Sequence, residues 1–298
     1  MSRGESNERG VAPILIAQIT DCHIGFFRSE VGGPNTQRLR AVLDRLRDGP
    51  NRPDLLLLSG DLTEFGDAAS YARLAEMLAD LPFPVHLMVG NHDDREALRA
   101  AFPDTPLDQG FVQYVLPLPG LRLIALDTLE PERHGGAFCA QRAAWLSEQL
   151  DADPLTPVVI AMHHPPVAVG LDWLDGDPDA AWIARFTAAI AGRKQVRAVL
   201  AGHLHRTIHT SLAGVPLTVC PSTAPTVTLI LTPIDPERPD GRTMIVDEPA
   251  AFALHRWQGE RLVSHFESLS GGQPWAVLAG YDAGMQELVR QNARERRG

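Results

Sequence analysis

The stretch "PILIAQITDCH", residues 13–23, joins a run of apolar residues to two residues that commonly bind metals. The apolar part has the length and the β-branched content of a buried strand. Asp21 and His23 follow where that strand ends. Alternate residues of an extended chain face the same side, so these two side chains would point together and Cys22 would turn into the core. The stretch therefore predicts a strand that delivers a carboxylate and an imidazole to one edge of a sheet.

Four further strand-like runs end in the same kind of residue. Amphipathic helical patterns separate several of them, for example residues 36–48 and 67–80. This alternation predicts an α/β fold, in which ligands bind beyond the carboxyl ends of the strands. The polar residues at those ends are Asp61 after "LLLLSG", Asn91 and His92 after "HLMVG", His163 and His164 after "VVIAM", and His203 and His205 after "AVLAG".

Each of these pieces is weak when it stands alone. A single histidine after a strand is usually a hydrogen-bonded structural residue, and an aspartate there usually belongs to a turn or a helix cap. "GDLTEFGD" also reads as a loop before a helix capped by Asp67. The functional interpretation therefore depends on all five runs occurring in one chain and in one order.

Composition excludes several classes of protein. The chain has 298 residues, 44% of them hydrophobic and 21% charged, as in ordinary soluble globular proteins. A formal net charge of -10 without a basic block argues against binding of a nucleic-acid polymer. Three cysteines without paired spacing fit a reducing compartment, so we expect a cytoplasmic protein. No apolar run approaches the length of a membrane span, so no membrane partner is expected.

The order DxH, GDxxxxG, GNHD, HH, GHxH resembles that of the calcineurin-like metallophosphoesterase superfamily. Here it is carried by "DCH" (21–23), "GDLTEFG" (60–66), "GNHD" (90–93), "HH" (163–164) and "GHLH" (202–205). "MHHPPVAVG" and "LHRWQGERLVSHFESL" further resemble the branch of class III cyclic-nucleotide phosphodiesterases and glycerophosphodiesterases. The resemblance implies an α/β fold in which a two-sheet β-sandwich is flanked by helices (αββα), with a C-terminal β-hairpin extension.

The resemblance also implies a site with two divalent or mixed-valence transition metals. Mixed oxygen and imidazole ligands without thiolate suit Mn, Fe, Zn or Co. A neutral Asn91 would keep the site cationic, which favours an incoming phosphodiester anion. The implied ligands are Asp21, His23 and His205 for the first metal, Asn91, His163 and His203 for the second, and Asp61 as the bridge.

Neighbouring residues receive supporting roles. His92 would protonate the leaving oxygen or stabilise the transition state. Asp93 would accept a hydrogen bond from a metal-bound histidine, and Asp94 would cap the next helix. We choose His163 as the ligand because it directly follows the strand. His164 would then point the other way, toward the second shell of the site or the substrate.

The implied function is that of an enzyme, a dinuclear-metal-dependent phosphodiesterase acting on small phosphodiesters of the cyclic-nucleotide or glycerophosphodiester type. A metal-bound hydroxide would attack the phosphorus. The alternative is a phosphomonoesterase or nucleotide-sugar hydrolase of the same superfamily. A non-catalytic scaffold is remote because all seven implied ligands are present. Trp173, in the acidic segment 167–182, would cover the substrate, and the His134 loop would approach it; a solvated loop is the competing interpretation of that segment.

Beyond about residue 205 the pattern changes to short strands and turns. We predict three segments: a disordered N-terminus (1–10), the catalytic domain (11–232) and a C-terminal extension (233–298). The extension contains a β-hairpin over 251–269 with its turn near Gly259. Because an isolated hairpin needs a partner surface, we expect the extension to support a homo-oligomer or to cap a neighbouring site.

Overall fold

The computed structural model describes residues 12–26, 33–235 and 237–269. The predicted disordered N-terminus and the tail from residue 270 lie outside these residues. The helices are α1 Pro34–Asp48, α2 Ala68–Leu78, α3 Arg95–Ala101, α4 Ala140–Ala152 and α5 Ala181–Ile190. The strands are β1 Ile14–Ile19, β2 Leu55–Ser59, β3 Val85–Met88, β4 Tyr114–Leu118, β5 Leu121–Leu126, β6 Val158–Met162, β7 Val196–Ala201, β8 Ile208–Leu212, β9 Val215–Val219, β10 Thr226–Val227, β11 Ile245–Val246, β12 Ala251–Gln258 and β13 Arg261–Ser268.

Two mixed sheets form the centre of the molecule. The first has the strand order β13-β12-β1-β2-β3, with β1, β2 and β3 parallel. The second has the order β4-β5-β6-β7-β9-β8, with β5, β6, β7 and β9 parallel and an antiparallel strand at each edge. Parallel neighbours place the carboxyl ends of β1 and β2 together, and likewise those of β6 and β7.

Strand β6 shows how the layers are built. Val159 and Ala161 lie in the core that also contains the first sheet and helices α1 to α3. Val158, Ile160 and Met162 alternate with them and lie in the core formed with α4 and α5. Both faces of the strand are therefore covered, which is why its sequence is apolar throughout rather than alternating. The layers follow the order helix, sheet, sheet, helix, and the predicted fold class is confirmed.

Local sequence sets the helix boundaries. Helix α1 has Pro34 in its first turn, where the missing N–H costs nothing, and ends at Gly49. Helix α3 begins after Asp94, whose carboxylate accepts a hydrogen bond from the Ala97 N–H at 2.8 Å. Asp94 is thus the helix cap that its position predicted. None of the helices within the described residues is long and apolar enough to cross a membrane.

The C-terminal hairpin lies within the first sheet. Strands β12 and β13 pair in continuous register, and the turn residues Gly259 and Glu260 both have positive φ, as a tight hairpin turn requires. Strand β12 also pairs with β1, with Leu254 opposite Ala17. The partner surface that the hairpin needs is therefore in the same chain. Oligomerisation was predicted because the hairpin needs such a surface, so that reason no longer applies. The domain division at residue 233 stays a prediction.

Candidate metal centre

Side chains from several strand ends meet at one edge of the sandwich. His205 Nε2 lies 3.4 Å from Asp21 Oδ1 and 3.1 Å from His23 Nε2. His163 Nε2 lies 3.3 Å from Asp61 Oδ2. Among the described residues, four groups have all their ligand atoms within 4.8 Å of one another: Asp21, His23 and His205; Asp21, Asp61 and His163; His23, Asp61 and His92; and His163, His164 and His203. The first group consists of the residues predicted to hold the first metal.

The residues of the second predicted set lie around His164. The His203 ring centroid lies 5.3 Å from that of His163 and 4.7 Å from that of His164, and the Asn91 amide oxygen lies 3.1 Å from His164 Nε2. Asp61 is within reach of both sets, as a bridging carboxylate would need to be. The structure therefore brings together the residues predicted from sequence, and their role as metal ligands stays a prediction.

Three histidines present the same ring nitrogen, Nε2, to this cluster. In each of them Nδ1 lies beside an oxygen that can only accept a hydrogen bond, so Nδ1 carries a proton and Nε2 is the nitrogen left for a metal. Metal-bound imidazoles have this arrangement. The distances from Nδ1 are 2.7 Å from His23 to Glu64 Oε2, 2.9 Å from His163 to the Ser59 carbonyl, and 2.8 Å from His205 to the Pro225 carbonyl.

Unpartnered atoms show that the cluster fits cations. Within the described residues, the buried atoms Asp21 Oδ1 and His163 Nε2 have no hydrogen-bond partner. The Nε2 atoms of His23 and His205 lie 3.1 Å apart, and because both Nδ1 atoms already carry protons this contact needs a further proton or a metal cation between the two rings. A donor set of carboxylates and imidazoles without thiolate suits a first-row transition metal.

The pKa values agree with this electrostatic picture. Burial alone would raise the pKa of Asp21, but His205 and His163 lower it to about 2. Burial alone would lower the pKa of His163, but Asp61 and Asp21 raise it to about 9. Both shifts have the same cause, because the two buried carboxylates favour positive charge beside them.

The backbone at the site is strained. A positive φ is uncommon for residues other than glycine and costs on the order of 1–3 kcal/mol where the surroundings enforce it. The chain is therefore not extended at "DCH", although an extended chain was assumed in predicting that Asp21 and His23 point together; Cys22 is fully buried as predicted. Five of the seven predicted ligands have such a φ: Asp21 (53°), His23 (45°), Asp61 (48°), His203 (72°) and His205 (53°).

Two glycines give His163 its place between the loops. A Cβ on Gly60 would lie 2.5 Å from His163 Nδ1, and one on Gly90 would lie 2.2 Å from Asp61 Oδ1 and 2.7 Å from His163 Nε2. Neither position can hold a larger residue without displacing a predicted ligand. The glycines of "GD" and "GNHD" are therefore required by close approach of the backbone.

His92 lies beside the cluster, and its neighbour Glu64 was missed by the sequence analysis. The His92 backbone N–H donates to Asp61 Oδ1 at 2.9 Å, and its Nδ1 donates to the Glu64 carbonyl at 3.0 Å. The ring remains 26% exposed, which leaves Nε2 accessible from outside. Glu64 also accepts from His23, so one acidic residue orients two functional histidines. Its position three residues after Asp61 was the only signal in the sequence.

His164 has the opposite tautomer from His163. Its Nε2 lies 3.1 Å from the His134 carbonyl, which can only accept, so Nε2 carries the proton. Its Nδ1 lies 2.8 Å from Thr128 Oγ1. Burial lowers the pKa of His164 well below its usual value, which keeps the ring neutral. A protonated Nε2 cannot bind a metal, and this supports the choice of His163 as the ligand.

Asp93 differs from the prediction. It contacts no histidine through a hydrogen bond within the described residues; instead it accepts from the backbone of two loops. The donors are the N–H groups of Leu62 (3.1 Å), Thr63 (3.2 Å) and Gly90 (2.9 Å), together with the Tyr71 hydroxyl (2.9 Å). The physical reason is its depth: the carboxylate is buried beneath the loops, where it is surrounded by their backbone N–H groups and by the Tyr71 and Thr63 hydroxyls.

The two predicted substrate residues lie in different surroundings. The His134 ring centroid is 6.0 Å from that of His92, at the exposed rim of the cluster. Trp173 lines a small cavity with Thr228 and Met244, and 39% of its surface is exposed. A contact between either side chain and a substrate stays a prediction.

An αββα sandwich with a carboxylate–histidine cluster at the strand ends defines a metallophosphoesterase. The chain belongs to the calcineurin-like phosphoesterase family, whose model matches residues 14–207.

Individual relatives agree with this assignment. The chain is 36% identical to a probable cyclic nucleotide phosphodiesterase of Synechococcus sp. over 71% of this chain and 81% of the relative. It is 29% identical to a probable glycerophosphodiester phosphodiesterase of Arcobacter nitrofigilis, over 72% and 77%. A dimetal phosphatase from Danio rerio has the same fold, with a TM-score of 0.58 at 17% identity, and the match covers 86% of this chain and 99% of the phosphatase.

Proposed function

We propose that this protein hydrolyses small phosphodiesters, of the cyclic-nucleotide or glycerophosphodiester type, at a site that holds two divalent metals. The observation that carries the proposal is the convergence of three imidazole Nε2 atoms on two buried, ionised carboxylates. The names of relatives that match more than two thirds of the chain support the substrate class.

The chain's own residues define how such a reaction would proceed. The first metal would be held by Asp21, His23 and His205, the second by Asn91, His163 and His203, with Asp61 shared. When bound, a metal pair supplies positive charge to the phosphoryl oxygens and lowers the pKa of water. Because Asn91 is neutral, the filled site would remain attractive to a singly charged diester.

His92 would complete the reaction on the side of the leaving alcohol. The bond from its Nδ1 to the Glu64 carbonyl fixes the ring and leaves Nε2 directed away from that anchor. From there Nε2 can hold a proton and deliver it to the departing oxygen. His134, on the exposed rim, would contact the alcohol substituent of the substrate.

Hydrolysis of defined substrates tests the proposal. The full chain, loaded with Mn, is given bis-p-nitrophenyl phosphate, p-nitrophenyl phosphate, cyclic AMP and a glycerophosphodiester, and an Asp61→Asn variant serves as the control for contaminating activity. We expect the diesters to be cleaved with a higher kcat/KM than the monoester. A clear preference for the monoester would favour the phosphomonoesterase alternative.

The identity of the metals and the compartment of the enzyme are also proposed from the residues present. We propose Mn, Fe, Zn or Co as the metals, since the site has no thiolate ligand. The cysteines Cys22, Cys139 and Cys220 are free thiols, which supports a reducing compartment such as the cytoplasm.

Homo-oligomerisation remains part of the proposal, and the exposed strand β13 at the edge of the first sheet is the surface that supports it.

A further inference from the structure

We propose that Thr128 and His164 form a positioning pair, which holds the Asn91 side chain with its amide oxygen toward the second metal. The inference rests on the two-metal site of the proposed function. Both residues are buried, with Thr128 fully enclosed and His164 2% exposed. Neither is a metal ligand in the proposed scheme, so the pair acts through Asn91.

Hydrogen bonding fixes the direction of every proton in the pair. His164 Nε2 carries a proton because the His134 carbonyl beside it can only accept. His164 Nδ1 must then accept, so the Thr128 hydroxyl donates to it at 2.8 Å. The Thr128 oxygen in turn accepts from the His164 backbone N–H at 3.3 Å. The threonine therefore selects the tautomer of the histidine.

The selected tautomer decides how Asn91 is oriented. An asparagine amide can turn by half a rotation and exchange its oxygen for an NH2 group, which cannot bind a cation. His164 Nε2 donates to Asn91 Oδ1 at 3.1 Å, and a donor at that place opposes the turned amide. Carbonyl oxygen has two lone pairs, so Oδ1 can accept this bond and bind a metal at the same time.

The same N–H ties a second element to the site. It reaches the His134 carbonyl at 3.1 Å, and the neighbouring Gly136 packs so closely that a Cβ there would lie 2.7 Å from the His164 side chain. The loop that presents His134 to the rim is thus fixed to the residue that orients Asn91. Loss of the pair would loosen the second metal and the rim together.

Metal binding, rather than activity, tests the inference. The metal-free full chain is titrated with Co²⁺ by calorimetry and by visible absorption, in wild type, Thr128→Val and Thr128→Ser. We expect wild type to bind two ions. The Val variant should lose about 10–100-fold in affinity at the second site only, as loss of an outer partner of a metal ligand typically causes. The Ser variant keeps the hydroxyl and should bind like wild type.

A double-mutant cycle separates positioning from a general packing defect. In an Asn91→Ala background, Thr128→Val should cause no further loss of Co²⁺ affinity, because the residue through which it acts is gone. Equal loss at both metal sites, wild-type binding by the Val variant, or a wild type that binds one ion would each overturn the inference. Two-ion binding without diester hydrolysis would instead count against the proposed function alone.

Discussion

At the scale of single residues, Glu64 joins two steps of the proposed reaction. Its carboxylate accepts from His23 Nδ1 at 2.7 Å, and its backbone carbonyl accepts from His92 Nδ1 at 3.0 Å. The side chain is only 14% exposed, so water competes weakly for these bonds. Because His23 is a proposed ligand and His92 the proposed acid, one residue orients both metal binding and proton transfer.

Removal of the Glu64 carboxylate should therefore weaken the first metal. We expect Glu64→Ala to reduce affinity there by about 10–100-fold, and Glu64→Gln, which keeps an acceptor oxygen, to have a smaller effect. Metal titration of the full chain measures both. Glu130→Ala is the matched control because its carboxylate is 44% exposed, and it should bind metal like wild type. Unchanged affinity in Glu64→Ala would exclude the positioning role.

His92→Ala tests the proposed acid. Loss of a positioned proton donor should lower kcat by about 10²–10⁴-fold, whereas the metal content, measured by elemental analysis, should stay the same. The metal measurement is decisive because His92 also lies within 4.8 Å of the ligand atoms of His23 and Asp61. If the variant loses metal along with activity, His92 is a ligand and not the acid.

At the scale of elements, Asp93 holds two loops in place. It accepts from Leu62 and Thr63 in the loop after β2, from Gly90 in the loop after β3, and from Tyr71 in helix α2. These loops carry Asp61 and Asn91. Pairing between the two strands ends with β2 and β3, and beyond that point the Asp93 carboxylate links the loops by hydrogen bonds. It thereby keeps two proposed ligands at a fixed separation.

The contribution of the Asp93 hydrogen bonds to stability can be measured by denaturation of the metal-free protein. Asp93→Asn presents an NH2 group to backbone N–H donors and should cost about 1–3 kcal/mol in free energy of unfolding. Tyr71→Phe removes one donor and leaves the carboxylate with its backbone donors and the Thr63 hydroxyl, so it should cost about 1 kcal/mol. A Tyr71→Phe variant less stable than Asp93→Asn would show that the hydroxyl acts mainly through its other bond, from the Asp94 N–H, and not through the Asp93 carboxylate.

The elements were predictable from sequence to the extent that their signals are local. The apolar run before Asp21 and the helix caps Asp67 and Asp94 use only neighbouring residues, and each was found at its expected place. Glu64 and Thr128 could not be assigned in this way, because their roles depend on contacts with histidines 41 and 36 residues away. The left-handed backbone at the ligands was equally hidden, since aspartate and histidine carry no sequence mark of it.

At the scale of the whole molecule, a buried polar network connects the C-terminal hairpin to both sheets. Gln18 on β1 donates to Ser59 and to the Ala201 carbonyl, and its oxygen accepts from His255 Nε2 at 2.9 Å. Burial lowers the pKa of His255 to about 3. The folded protein therefore keeps this histidine neutral, whereas the unfolded chain gains a proton below about pH 6.5.

This difference makes stability depend on pH in a known direction. Below about pH 6.5 only the unfolded state binds the proton at His255, so the free energy of unfolding falls as pH falls toward 3. Between pH 7 and 5 the contribution is about 2 kcal/mol. His255→Gln should be less stable at pH 7 but should lose less on acidification, as measured by urea denaturation at several pH values. Replacement of the exposed His209 serves as the control. If the free energy of unfolding of His255→Gln depends on pH as strongly as that of wild type, His255 is not the residue responsible.

Metal binding should stabilise the whole fold, because the site is assembled from loops of both sheets. Asp21 and Asp61 are buried and ionised, and in the metal-free protein the histidines beside them carry the positive charge that a metal would supply. Each site filled at one hundred times its dissociation constant should add about 2.7 kcal/mol, which corresponds to roughly 5–10 °C in Tm for a chain of this size. Asp61→Asn removes a shared ligand and a carboxylate whose ionised form His163 stabilises in the folded protein. We therefore expect its metal-free form to melt at a lower temperature than wild type and to respond little to Mn²⁺. Asp151→Asn, an exposed control, should respond fully. Equal shifts in wild type and Asp61→Asn would place the stabilising metal elsewhere in the protein.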